Sequence, residues 1–493
     1  MLLRVPLEYF NRLRTKIAPT MMRFIGIYGI NALSFSMNVA AIFVYSRLGG
    51  AVGYGTYGIY VVFMSLYTLV DTSVLKAALA ISSVERRSTV EHHATSASLH
   101  FIRRAIAPIV LCSAGVVFVG DYLFPKDGIT STGGTLIALI AVAEYLLSYP
   151  STRLSFHLVT EGRFTALYSW RLVGTVLRHI VAWTTLLATG SILAAIAAIV
   201  IKGLIFGLGS HLWRRRRYSM PNVAPARIDM RPFGMLAHYF AASLGLLTIQ
   251  EIPTVFIDHA FGREALGHYR FFYDLCAAVW FVATIYPTVL FSSLLPKGSQ
   301  FNLAAVIERV RSIGNVLILF HLTYFFAVCL ALGASSMMNF DLFDAQSSYS
   351  IALVGAVSIL GYNRFLIEAN QAIGKSRAVF RSVGVSALLV GILLLLCTGS
   401  LGTYAIGIGW MIGQLFLCIA LTAIFDEASG RQSALLLLRT LVFAALPVVL
   451  AFIAQTSLSN REFLSVMFVA TVAGLALTTR LGLHTYRTIW PNM

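Results

Sequence analysis

Charged side chains are scarce in this sequence. They make up 12% of the 493 residues, about half the share of an ordinary soluble protein. So little polar surface cannot cover a core of this size in water, which excludes a water-soluble enzyme. Cysteine is sparse too: Cys112, Cys276, Cys329, Cys397 and Cys418 lie far apart, each inside an apolar stretch. That spacing gives neither a disulfide frame nor a CxxC metal site. There is no Walker A run, no HExxH and no GxSxG, which argues against direct use of ATP and against those hydrolytic mechanisms. No cofactor or metal is expected, and no cleavable signal peptide is visible.

What the chain has in abundance is apolar residues, 58% of the total, with a mean hydropathy of +0.80. They come in continuous runs about twenty residues long, which suits membrane-spanning helices and not the alternating segments of a β-barrel. The expected fold is an all-α polytopic membrane protein of about fourteen transmembrane helices. The candidate spans are 22–45, 57–83, 105–124, 134–155, 168–188, 192–213, 235–257, 268–295, 313–334, 349–369, 379–397, 403–425, 435–455 and 463–483. A twelve-span arrangement with two misread hairpins is the alternative. Residues 2–16 read as a basic amphipathic segment on the membrane surface.

The distribution of Lys and Arg orients these spans. Of 37, 27 fall on the side of the N-terminus, four (Arg47, Lys126, Arg263, Arg461) on the other, and six inside spans. This asymmetry places both termini in the cytoplasm. It also explains the net charge of +17 by cytoplasmic loops beside anionic lipid, with no need for nucleic acid as a partner. The loops on the opposite side are too short for a catalytic domain.

The sequence repeats itself loosely. Gly50, Gly55 and Tyr57 match Gly262, Gly267 and Tyr269 in a G-x4-G-x-Y pattern at an offset of 212 residues. At the same offset, Gly162-Arg163 matches Gly374-Lys375. The expected organisation is a six-helix lobe (1–213), a basic cytoplasmic linker (214–233), a second six-helix lobe (234–425), and two more helices with a cytoplasmic tail (426–493). An even number of spans per repeat gives both lobes one orientation, related by a pseudo-two-fold along the membrane normal. Each motif is expected to form a tight interfacial turn, its tyrosine anchored at the headgroups.

Charges inside spans are costly and point to a hydrated path or a partner. The cations are Lys76, Arg171, Arg178, Lys202, Arg270 and Arg364; the acids are Asp71, Glu144, Glu251, Asp274 and Glu368. Arg178 lies twelve residues before Gly190 and Lys202 twelve after it. At about 1.5 Å per residue both sit roughly 18 Å below the outer boundary, where they would repel unless water or an anion separates them. Lys76, Arg171, Arg178, Lys202 and Arg364 thus form an inward-biased cationic set, suited to phosphate oxygens, and together with Arg270 they are the candidate substrate-binding cations. Two readings stay open for the i,i+4 pairs Arg270–Asp274 and Arg364–Glu368, which either neutralise one another or serve the path. Asp71, Glu144, Asp274 and Glu368 are the candidates for coupling or charge balance, and Glu144 could equally be a protonated acid bonded to a neighbouring helix. Pro253 and Pro287 are expected to kink their spans.

Two segments carry a family resemblance. Residues 46–71, SRLGGAVGYGTYGIYVVFMSLYTLVD, and 256–275, FIDHAFGREALGHYRFFYDL, resemble the polysaccharide transporter branch of the multidrug/oligosaccharidyl-lipid/polysaccharide (MOP) exporter superfamily. By that resemblance Asp71, Asp258, Gly262, Gly267 and Tyr269 occupy family positions, although Thr72 stands where many members have glycine. The resemblance implies a non-enzymatic flippase in the bacterial inner membrane. Its substrate would be an undecaprenyl-diphosphate-linked oligosaccharide unit for O-antigen or exopolysaccharide assembly, moved by alternating access, with polymerase or chain-length proteins as partners. A drug or small-solute exporter coupled to H⁺ or Na⁺ is the alternative, and a membrane glycan polymerase or ligase the second.

Overall fold

A computed structural model describes residues 19–84, 132–160, 163–217, 231–277, 303–337, 347–373, 375–401, 404–429 and 459–489. Ten helices account for nearly all of them: α1 (Pro19–Val84), α2 (Thr132–Thr160), α3 (Phe164–Thr189), α4 (Ile192–Arg217) and α5 (Arg231–Ala277), then α6 (Leu303–Met337), α7 (Ser347–Ala372), α8 (Ser376–Leu401), α9 (Tyr404–Ser429) and α10 (Asn460–Ile489). Eight helical stretches among them are long and apolar enough to cross a membrane. Large apolar side chains such as Leu187, Leu395, Leu396 and Val469 stand exposed on the outside of the bundle, as a hydrocarbon solvent permits. The expected spans 105–124 and 435–455, most of 268–295, the segment 2–16 and Pro287 lie outside the described residues.

The duplication is carried by the backbone. Adding 212 to the limits of α3 and α4 gives those of α8 and α9, and the same offset takes the start of α1 to the start of α5. Both α1 and α5 were expected to contain a loop, around residues 46–56 and 258–267. Instead each is interrupted at one glycine only. Gly50 (φ 65°, ψ −177°) and Gly262 (φ 85°, ψ 177°) adopt nearly the same conformation, one that a residue with a Cβ rarely reaches. A single such residue breaks the hydrogen-bond ladder and redirects the helix, so no longer loop is required.

The α1–α5 contact joins the two halves. Around it the halves pack alike: α2 on α4 and α3 on α4 in the first, α7 on α9 and α8 on α9 in the second. Ile137, Ala141, Ile196 and Ile199 lie in one core, and Val357, Leu360, Trp410 and Leu417 in the other. Phe271 of α5 belongs to the first core and meets Phe43 edge-on at 5.6 Å, so the halves interdigitate. Outside the repeats, α10 packs on α6 through Gly474 against Thr323. Helix α4 continues beyond Trp213, so Arg214–Arg217 complete its last turn, where positive charge complements the helix dipole.

Candidate functional site

Two polar centres are built around the second part of α1. Its sequence there, Tyr54-Gly55-Thr56-Tyr57-Gly58-Ile59-Tyr60, repeats Tyr-Gly-x. Three residues advance an α-helix by about 300°, so the tyrosines and glycines drift together round its surface. The glycines face α5 and the tyrosines reach the polar groups on either side.

The first centre is the seam between the halves. A Cβ on Gly55 would lie 2.3 Å from the Arg263 carbonyl oxygen, and one on Gly267 would lie 1.8 Å from that of Ala51. Arg263 and Gly267 are the repeat mates of Ala51 and Gly55, so the contact is reciprocal, as a two-fold axis demands. Arg263 is fixed beside the turn by a forked pair with Asp258, at 2.7 and 3.2 Å. Below it Arg270, 1% exposed, pairs with Glu251 at 3.0 Å and Asp274 at 2.8 Å. Its guanidinium also meets Thr254 at 3.3 Å and lies 4.6 Å from the centre of the Tyr273 ring. Asp274 in turn accepts a 2.8 Å hydrogen bond from Tyr54 of α1, tying the ion cluster to the other half. The arginine stem occupies the space above Gly58, where a Cβ would sit 2.7 Å from its Cγ.

The second centre lies inside the first half. The Lys202 ammonium of α4 pairs with Glu144 of α2 at 2.8 Å, and the other Glu144 oxygen accepts a hydrogen bond from Tyr60 of α1. Arg178 of α3 lies with its guanidinium 5.4 Å from the centre of the Tyr60 ring, within electrostatic reach of Glu144, and its Nε–H is buried without a hydrogen-bond partner. The carboxylate is 1% exposed and the lysine side chain 14%. Counting formal charges, two cations and one acid leave the cluster at +1. Next to Arg178, His179 is hydrogen-bonded to Asn38 at 3.0 Å and stacks on Trp183. Close backbone approach makes the cluster possible: a Cβ on Gly203 would lie 3.0 Å, and one on Gly207 2.0 Å, from carbonyl oxygens of α2.

Among the described residues the second half has no counterpart to this cluster. Offset by 212, Glu144, Arg178, Lys202 and Tyr60 correspond to Ala356, Val390, Gln414 and Phe272. There Gln414 accepts from Asn363 through both its carbonyl and its side chain, at 2.9 and 3.0 Å.

The expected residues are therefore distributed as follows. Arg178 and Lys202, expected at one depth, both act on one carboxylate, Glu144, Lys202 by direct pairing and Arg178 through its charge. Arg270 does not stand free toward a cavity: two carboxylates enclose it, so it leaves the set of substrate-facing cations and Asp274 becomes part of the seam. Arg171 leaves that set also, since it is exposed and lies 5.7 Å from the Tyr168 ring. Arg364 donates to Gln250 of α5 at 2.7 Å and feels the charge of Glu368. The side chains of Lys76 and Asp71 lie outside the described ones. Tyr57 and Tyr269 are not headgroup anchors: Tyr269 is 2% exposed, and Tyr57 packs 4.6 Å from Tyr45 and 5.9 Å from both Tyr54 and Tyr60. The turns place them inward because the seam lies against the same helix faces.

No family model matches the sequence, and no curated protein matches it in sequence. Solved structures do resemble the fold. A structure of the lipid II flippase MurJ in an inward closed conformation aligns with a TM-score of 0.55 at 11% identity, over 95% of this chain and 99% of that one. A MATE transporter in complex with MaD3S aligns with a TM-score of 0.57 at 13% identity, over 81% and 94%. An outward-facing MATE family transporter of the MOP superfamily gives 0.53 at 14% identity, over 84% and 94%. The described residues form an all-helical fold similar to those of MurJ and MATE transporters.

Proposed function

We propose that the protein is a membrane transporter that flips an undecaprenyl-diphosphate-linked oligosaccharide from the cytoplasmic to the periplasmic leaflet of a bacterial inner membrane. The product would feed O-antigen or exopolysaccharide assembly, with polymerase or chain-length proteins as downstream partners. The observation that carries this reading is the Arg178–Lys202–Glu144 cluster, net positive, with its carboxylate buried and, among the described residues, present in one half. A diphosphate headgroup is the kind of anion that suits a lysine and an arginine whose Nε–H lacks a hydrogen-bond partner. Fold likeness to a lipid II flippase supports a lipid-linked cargo. With the termini in the cytoplasm, the Gly50, Gly190 and Gly262 turns lie on the periplasmic face. Gly53, just after the first turn, packs on Ile192 beside the second, and Gly55 packs against Arg263 beside the third. The described structure then corresponds to a state closed outward.

Transport proceeds in this reading by separation of the α1–α5 seam. The lipid headgroup enters from the cytoplasmic side and engages Arg178 and Lys202, with Lys76 and Arg364 as further cations along the path. Seam opening breaks the Tyr54–Asp274 hydrogen bond and withdraws Arg270 from Gly58. Restoration of the closed state would draw on cation or proton movement, for which Asp71, Glu144 and Glu368 are the candidate carriers.

The likeness to a multidrug resistance MATE family transporter favours a second reading, export of drugs or other small solutes. One experiment separates the two. Arg178→Gln and Lys202→Gln are expressed at the normal level in cells lacking the wild-type copy. Loss of surface polysaccharide with accumulation of lipid-linked intermediates supports the flippase. Normal polysaccharide with altered dye efflux supports the exporter.

A further inference from the structure

We infer that Glu144 is a resident competitor for the anion site: it occupies Lys202, one of the cations that the substrate must use, and a diphosphate binds by displacing it. The inference deepens the flippase reading and rests on it. Three observations lead to it. The Glu144 carboxylate fills Lys202 and accepts from Tyr60. Arg178, which lies over Tyr60 and within reach of the same carboxylate, keeps a buried Nε–H with no partner, an arrangement short of one anionic oxygen set. Nor is the cluster a scaffold element needed by the fold, since the repeat half builds the same helix packing with Ala356, Val390 and Gln414 in these places.

The electrostatics explain why such a device suits transport. Without an internal anion, two cations at one level in a low-dielectric interior would repel each other in the empty state. They would also hold a diphosphate too tightly to release it. A tethered carboxylate neutralises one cation when the site is empty and re-enters as the headgroup leaves. Binding then exchanges one set of charge-assisted hydrogen bonds for another, so affinity depends on their difference.

The test uses the purified full chain in nanodiscs, titrated with farnesyl diphosphate, inorganic pyrophosphate and uncharged farnesol. Glu144→Gln should tighten farnesyl diphosphate binding about tenfold or more, since a charge-assisted bond no longer has to be displaced. Lys202→Met in the same background should reverse the gain, and farnesol should not respond to either change. Tightening for inorganic pyrophosphate as well would identify the diphosphate itself as the determinant; tightening confined to farnesyl diphosphate would add the lipid chain.

A second measurement needs no variant. Carbodiimide labelling of Glu144 in the wild type, read by mass spectrometry, should rise severalfold when farnesyl diphosphate is present, because the displaced carboxylate has lost its lysine. Unchanged or weaker binding in Glu144→Gln, or protection of Glu144 from labelling, would overturn the inference while leaving the flippase reading intact. Absence of diphosphate binding in the wild type would remove both.

Discussion

Replacing Gly267 by alanine tests the seam with a single methyl group. The added Cβ would lie 1.8 Å from the Ala51 carbonyl oxygen, whereas ordinary contact begins at 3.4 Å, so the two backbones must part by the difference, 3.4 − 1.8 = 1.6 Å. No side chain is available to yield, because the obstructing atoms belong to the main chain. Overpacking of this kind costs about 1–3 kcal/mol. That penalty falls on the closed seam and is relieved when the halves separate. A bias of about 2 kcal/mol shifts a two-state equilibrium roughly thirtyfold, enough to make a minor open form dominant. Spin labels at Val52 and Glu264, exposed repeat mates on either side of the seam, would report the change by pulsed dipolar spectroscopy in a background without the native cysteines. The distance distribution should move to a longer, open population, and flipping should slow because the return step is impeded. Wild-type distances together with wild-type transport in Gly267→Ala would refute the idea that bare backbone closes this contact.

Other perturbations follow from the same geometry. Arg270→Met leaves Glu251 and Asp274 buried beside each other without their cation and should destabilise the protein by about 3–5 kcal/mol, measured as a loss of thermal stability in detergent; adding Asp274→Asn should recover part of it. Gly207→Ala places a methyl 2.0 Å from the Leu147 carbonyl and should lower the unfolding temperature by loosening α2 from α4. Gly384→Ala meets nothing within 4 Å and should leave that temperature unchanged or raise it, by up to about 1 kcal/mol of helix propensity. Asn370→Leu removes the donor to the Leu421 carbonyl at 2.9 Å and should cost about 0.6 kcal/mol, the usual value for a hydrogen bond between membrane helices.

Fold class was legible because hydropathy is a sum over many residues, insensitive to any one of them. The repeat was legible at its turns, where only glycine tolerates the backbone conformation and the sequence therefore marks the site. The partner of each turn was not legible. Gly55 and Gly267 announce close approach, but the two-fold that brings them to each other is a property of the assembled halves. The same holds for Tyr57 and Tyr269, which read as interfacial anchors because tyrosine is common there, yet pack inward, Tyr269 buried and Tyr57 partly so, on the helices that the glycines beside them bring together. The Glu144–Lys202 pair was half legible. Glu144 lies eleven residues after Gly133 and Lys202 twelve after Gly190, a match in depth drawn above only for Arg178 and Lys202. Nothing in the spacing said that α2 and α4 touch, except the Gly203-xxx-Gly207 pattern, whose meaning is close helix approach.

The fit of Arg270 over Gly58 has a consequence for the origin of the chain. These two residues are repeat mates, so one copy of the ancestral position now supplies a knob and the other the hole that receives it. Two identical subunits could not have done this: with arginine in both, the stems would collide on the axis, and with glycine in both, an empty space would remain. The lock therefore requires two halves whose sequences differ at this position, and reverting either residue to its mate should break it.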